Sequence, residues 1–160
     1  MTGAAKNRAY LGAIGVLLLI IGLMTYKFVV VGSTLKAEDG RIVVLLEPGE
    51  RDLMLKEMRA FVESLQLMSD ALAKDDMIGV SKAARAMGMS KSQDVPLAMV
   101  GKLPLEFKKL AFSVHGAFDT IADDAETVGT AKHTLGQLSS VLQKCVACHS
   151  SYQLKVPATK

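Results

Sequence analysis

Apolar residues follow two regimes along this chain. Over residues 10–31, YLGAIGVLLLIIGLMTYKFVVV, they are nearly continuous, and Lys27 is the one charge. As a helix this run would be about 33 Å long, enough to cross a hydrocarbon core of about 30 Å. Lys27 can carry its ammonium out to the interface, and Tyr10 and Tyr26 suit the headgroup belts. Lys6 and Arg8 precede the run, so residues 1–9 are expected in the cytoplasm and the rest outside it. In a bacterium this is a single-pass inner-membrane anchor with the following domain in the periplasm. A cleaved signal peptide is the alternative. The run is long for that role, and the small residues Gly32 and Ser33 follow Val30 and Val31, a poor cleavage context, so an uncleaved anchor is expected.

Beyond residue 31 the pattern becomes periodic. Residues 32–47 read as a linker that ends in a short extended apolar piece at 42–46. Pro48, Gly49 and Glu50 open a helix, with the acid near the positive end of the dipole. Met54, Met58, Phe61, Leu65, Met68 and Leu72 then recur at steps of three and four and predict a helix over about 49–74. A shorter stripe of Met77, Val80, Ala84 and Met87 predicts a second over about 75–89, broken by GMSKSQDVP at 88–96. The third is predicted from Pro104 to about 127, on Phe107, Leu110 or Ala111, Val114, Phe118 and Ile121. The fourth spans about 130–153, with Leu135, Leu138, Leu142, Cys145, His149 and Tyr152 on one face. No run after residue 47 alternates convincingly as a strand. The expected fold is all-α: an antiparallel four-helix bundle over 48–155 after one transmembrane helix, with a tail at 156–160.

Composition narrows the function. The chain has 160 residues, enough for one domain with a core, and a formal net charge of +3. No Lys/Arg run exceeds two and no aromatic platform accompanies them, so nucleic-acid binding has little support. No acid–base pair suited to catalysis is evident, and the chain does not read as an enzyme.

The chemistry is concentrated in VLQKCVACHSSYQLK, residues 141–155, which holds both cysteines. Cys-x-x-Cys-His is the attachment signature of c-type haem. Two thiols three residues apart can add to the two vinyl groups on one porphyrin edge, and the adjacent imidazole is then held beneath the ring, within reach of iron. A redox dithiol normally opens a helix after a strand, where the dipole lowers a thiol pKa; this motif is expected near a helix end. A zinc site needs four ligands, and only His115 and His133 could supplement the cluster. Haem attachment is the favoured reading, with disulfide, zinc and coincidence as the alternatives.

With CVACHSSY in the last of four helices, residues 48–154 resemble the cytochrome c′ family and its six-coordinate relatives. LPLEF at the start of the third helix is similar to the family's Pro-then-aromatic opening. The resemblance implies one covalent haem c between the helices, held by Cys145 and Cys148, with His149 as proximal iron ligand and Tyr152, Phe61 and Leu65 packing on the ring. One departure stands out: the family usually has Arg or Lys after the aromatic that follows the motif, and this chain has Gln153.

The family's distal residue is apolar or Met, with apolar positions at +3, +7 and +10. Met58 fits, with Phe61, Leu65 and Met68 at those offsets; Met54 fits less well because Glu57 falls at +3. His115 is the other alternative, and core packing is the plain explanation for any of them. His133 lies about 24 Å along a helix from His149 and is expected at the surface. Lys56, Arg59, Lys102 and Lys108 could pair with propionates, with nothing to select one. The expected function is a membrane-anchored single-electron carrier working with membrane or periplasmic redox proteins. A five-coordinate protein capturing nitric oxide or carbon monoxide is one alternative. A haem subunit of a larger respiratory complex is another. A homodimer is also open; Gly12, Gly15 and Gly22 allow close packing in the anchor, though no G-x-x-x-G is present.

Overall fold

A computed structural model describes residues 3–158; the outer ends of the expected cytoplasmic N-terminus (1–2) and of the tail (159–160) lie outside it. Helix α1, Gly3–Thr25, continues into a π-helical turn, Tyr26–Val31. The apolar span Tyr10–Val31 is long and apolar enough to cross a membrane, and none of it is buried against the protein. Its large side chains are exposed.

The chain from 32 to 47 is not a free linker, which corrects that expectation. Strand β1, Thr34–Lys36, pairs antiparallel with β2, Ile42–Leu45. Arg41 closes the turn by donating to the Asp39 carboxylate. Val43, Val44 and Leu46 are buried. A third strand, β3, Tyr152–Lys155, adds to β2 in parallel, so that Ile42 faces Tyr152 and Leu45 faces Lys155. The last helix therefore stops at Ser151 and turns into a strand, where the sequence pattern carried it to 153.

Four helices fall close to their expected positions, α2 Pro48–Leu72, α3 Met77–Arg85, α5 Leu105–Thr127 and α6 Ala131–Ser151, and a one-turn α4, Leu97–Val100, was not expected. Pro48 and Glu50 start α2 as expected, and a capping box joins Glu47 and Glu50. Asp76 accepts from the Gly79 amide to cap α3. α3 packs on both α2 and α5, and α5 packs on α6. Direct packing between α2 and α6 is slight.

Two apolar clusters divide the interior. One joins the second half of α2, α3, the later part of α5 and the first half of α6 around Phe118, Met68, Ile121 and Val80. The other joins Val44 and Leu46, Met54 at the start of α2, Met99 of α4, Leu103 and Phe107. Two buried hydroxyls are tied in: Ser64 donates to the Ala83 carbonyl at 2.8 Å, and Ser81 donates to Glu126 at 2.5 Å.

Candidate functional site

The motif lies in the last two turns of α6, where the two clusters meet. Cys145 packs against the first cluster and Cys148 against the second. Both are free thiols and half-buried. Burial pushes the Cys145 thiol up, and burial, reinforced by Cys145, pushes Cys148 up. That is the opposite of the lowered pKa of a reactive dithiol. Among the described residues no three His, Cys, Asp or Glu side chains gather to hold a metal ion. His133 is instead paired with Asp124 at 2.8 Å, as its predicted surface position suggests.

The face of α6 is rotated from the expected one. Thr134, Leu138, Val141, Cys145 and Cys148 form the inward stripe, whereas Leu135, Leu142 and His149 are exposed together with Val146. The shift is about 50°, half of one residue's rotation on an α-helix. Small side chains at 134 and 148 let α6 seat closely on its neighbours. The bulkier Leu135 and Leu142 mark the wrong edge of the stripe. His149 thus borders an apolar strip of Leu142 and Val146, which hydrophobic periodicity assigned to the core or passed over.

Facing this region, Met58, Phe61 and Leu65 of α2 are only partly buried. Met58 joins the same cluster as Cys148, and Phe61 and Leu65 the same cluster as Cys145. Met54 differs: it is buried among Val44, Leu46, Met99 and Phe107. His115 is also committed. Its Nδ1 donates to the Met87 carbonyl at 2.8 Å, its Nε2 lies 3.6 Å from Glu57 Oε1, and its ring sits 5.0 Å from Phe61. Glu57 is buried and its Oε1 has no hydrogen-bond partner among the described residues. The polar residue at +3 from Met54 thus serves the interior, a role the sequence pattern did not reveal.

Tyr152 closes the lower edge, its ring meeting Phe107 edge-on at 5.1 Å. Burial raises its hydroxyl pKa, with Cys148 and Glu106 adding to the effect. Gln153 points along the sheet, 3.3 Å from Asp39. Of the four candidate cations, Lys102 is bound to Glu50 at 2.7 Å and Lys108 to the carbonyls of Phe28 and Val29. Lys56 and Arg59 remain exposed on α2.

The donor set suits a flat, covalently attached apolar ring. Two free thiols lie on the inward side of α6 and His149, with no hydrogen-bond partner among the described residues, lies on its exposed edge; half-covered apolar side chains lie on α2, and the two helices barely pack on each other. Comparison with family models, with curated proteins and with solved structures gave no match for this chain.

Proposed function

We propose that this chain is a membrane-anchored, monohaem c-type cytochrome that passes single electrons on the periplasmic side of a bacterial inner membrane. The observation that carries the reading is the Cys-Val-Ala-Cys-His motif near the end of α6, where Cys145 and Cys148 each pack against one of the two apolar clusters, with both thiols free and half-buried. Four helices closing as an antiparallel bundle around the cofactor, in the manner of the cytochrome c′ family, account for the slight contact between α2 and α6.

Haem, when bound, supplies the one-electron iron couple. The chain's own residues do the rest. Cys145 and Cys148 would hold the group through thioethers, and His149, exposed beside them, would offer it an imidazole nitrogen. Phe61, Leu65 and Tyr152 would exclude water from the ring. Met58 is the supported distal ligand because Met54 is spent on the core and His115 on Met87 and Glu57. A thioether there raises the reduction potential relative to a second imidazole. The anchor reading draws support from the exit of the span, where Lys27 donates to the Gly32 carbonyl at 2.6 Å and Lys108 holds Phe28 and Val29. Cleavage would discard these contacts.

Optical and EPR spectra of the purified protein test the reading. Low-spin ferric iron is expected, and Met58→Ala should convert it to high spin. A high-spin wild-type protein that binds carbon monoxide readily on reduction would move the function to gas capture. Replacing Cys145 and Cys148 with Ser should abolish haem staining on a denaturing gel; retained staining would remove the attachment reading.

A further inference from the structure

The end of the apolar span is built into the folded domain. Gly32, at φ +68°, lies so close to the backbone of Lys102 and Leu103 that a Cβ would collide with it. Ser33 donates its amide to the Lys102 carbonyl at 2.7 Å and accepts at its own carbonyl from Leu45 at 2.8 Å. Lys108 donates to the carbonyls of Phe28 and Val29 at 2.9 and 3.1 Å, and desolvation holds its pKa below the ordinary lysine value. The Phe28 ring comes within van der Waals reach of Gly101. No flexible stretch separates the span from the bundle.

These contacts fall at one end of the molecule. Lys108 follows Phe107, Phe107 meets Tyr152, and Tyr152 is three residues beyond His149. The candidate iron site and the exit of the span are therefore at the same end. Beside the exit, α4 presents Leu97 at 85% exposure with Ala98 also exposed, while Met99 is buried beneath them. Leu97 is the most exposed large apolar side chain among the described residues and is adjacent to no apolar protein partner that explains it.

We infer that this end of the domain is a membrane seat. The edge of α4 around Leu97 rests in the phospholipid headgroup layer, and the locked exit holds the site of His149 at a fixed height above the same bilayer. The inference rests on the reading of Tyr10–Val31 as a retained anchor. Continuity with that span selects lipid as the occupant: a surface joined to a membrane helix by backbone hydrogen bonds meets the membrane before any other partner. An apolar side chain on an interfacial edge gains by entering the acyl boundary. The consequence is that electrons exchange with a partner embedded in the same membrane, since a fixed low seat does not sweep the periplasm.

The chain has no tryptophan, so Leu97→Trp introduces a single reporter. In the full-length protein in phosphatidylcholine–phosphatidylglycerol vesicles, lipids brominated in the upper acyl chain should quench its emission. Ile78→Trp, at an equally exposed apolar position on α3, should be untouched by bromine and open to aqueous iodide. Hydrogen exchange in the same vesicles should show residues 32–46 protected to a degree comparable with α5. Emission from Leu97→Trp that ignores brominated lipid and yields to iodide would overturn the seat. Residues 32–46 exchanging like open chain would do the same. N-terminal sequencing that finds the mature chain starting beyond residue 31 would sink the anchor reading itself, a different failure from a retained anchor with a loose domain.

Discussion

At the scale of single residues, Glu50 ties three parts of the molecule together. Its carboxylate accepts from the Glu47 amide at 2.8 Å and from Lys102 at 2.7 Å, so it caps α2 and fastens it to the segment that meets the end of the apolar span. Burial alone would raise its pKa, but the Lys102 ammonium and the Glu47 amide outweigh this and hold it below the ordinary 4.5. A carboxyl lowered on folding stabilises fully above its unfolded pKa, and the gain is lost as pH falls through the lower native value. Thermal stability should therefore be level above about pH 5 and decline below it. Glu50→Gln should lower stability at pH 7 by about 0.5–1 kcal/mol, through loss of the charge facing Lys102 and the helix dipole while the capping oxygen remains. It should also flatten part of the acid decline, leaving the share of the similarly lowered Asp39 and Asp94. A Tm–pH profile of the two proteins checks both; parallel profiles would remove Glu50 from the acid response. Phe118 offers a contrast, being fully buried with no polar role. Phe118→Ala should cost about 3–5 kcal/mol at any pH.

At the scale of elements, glycines separate places where the backbone has no freedom from places where it has some. Gly32→Ala should destabilise the exit by about 1–3 kcal/mol, through left-handed strain and the collision with the Lys102 backbone. Gly136, inside α6, has nothing near its would-be Cβ. Gly136→Ala should add about 0.5–1 kcal/mol from helix propensity alone. Hydrogen exchange of residues 32–46 should rise in the first variant and stay unchanged in the second. The starts of α2 and α5 were legible because Pro48 and Pro104 are local signals that need no partner. The strands were harder to see. Tyr-Gln-Leu-Lys does alternate, but four residues cannot outweigh the helical stripe leading into them, and their partner, β2, lies more than 100 positions away. The motif was legible because its chemistry is carried by spacing. Its orientation was not, because the rotation of α6 depends on how closely Thr134 and Cys148 let it approach its neighbours.

At the scale of the whole molecule, the sheet is the joint on which the arrangement depends. β2 follows the apolar span and β3 follows the motif, so their parallel pairing connects the end of that span to the end of α6 without passing through the helices. Leu154 packs into the cluster that holds Met58 and Cys148, and the Lys155 carbonyl accepts from the Leu46 amide at 3.0 Å. Ending the chain after Gln153 removes both while leaving Cys145, Cys148, His149 and Tyr152 in place. The loss of one half-buried leucine and a strand hydrogen bond should amount to about 2 kcal/mol. For a domain of this size that is roughly 8 °C of Tm. On the proposed haem reading, if the sheet holds the position of the site and the helices hold the ligands, the shortened protein should keep haem and spin state. It should also lose protection at residues 42–46 in vesicles. A change of spin state on this truncation would instead mean that β3 sets the rotation of α6, and with it the reach of His149 toward iron.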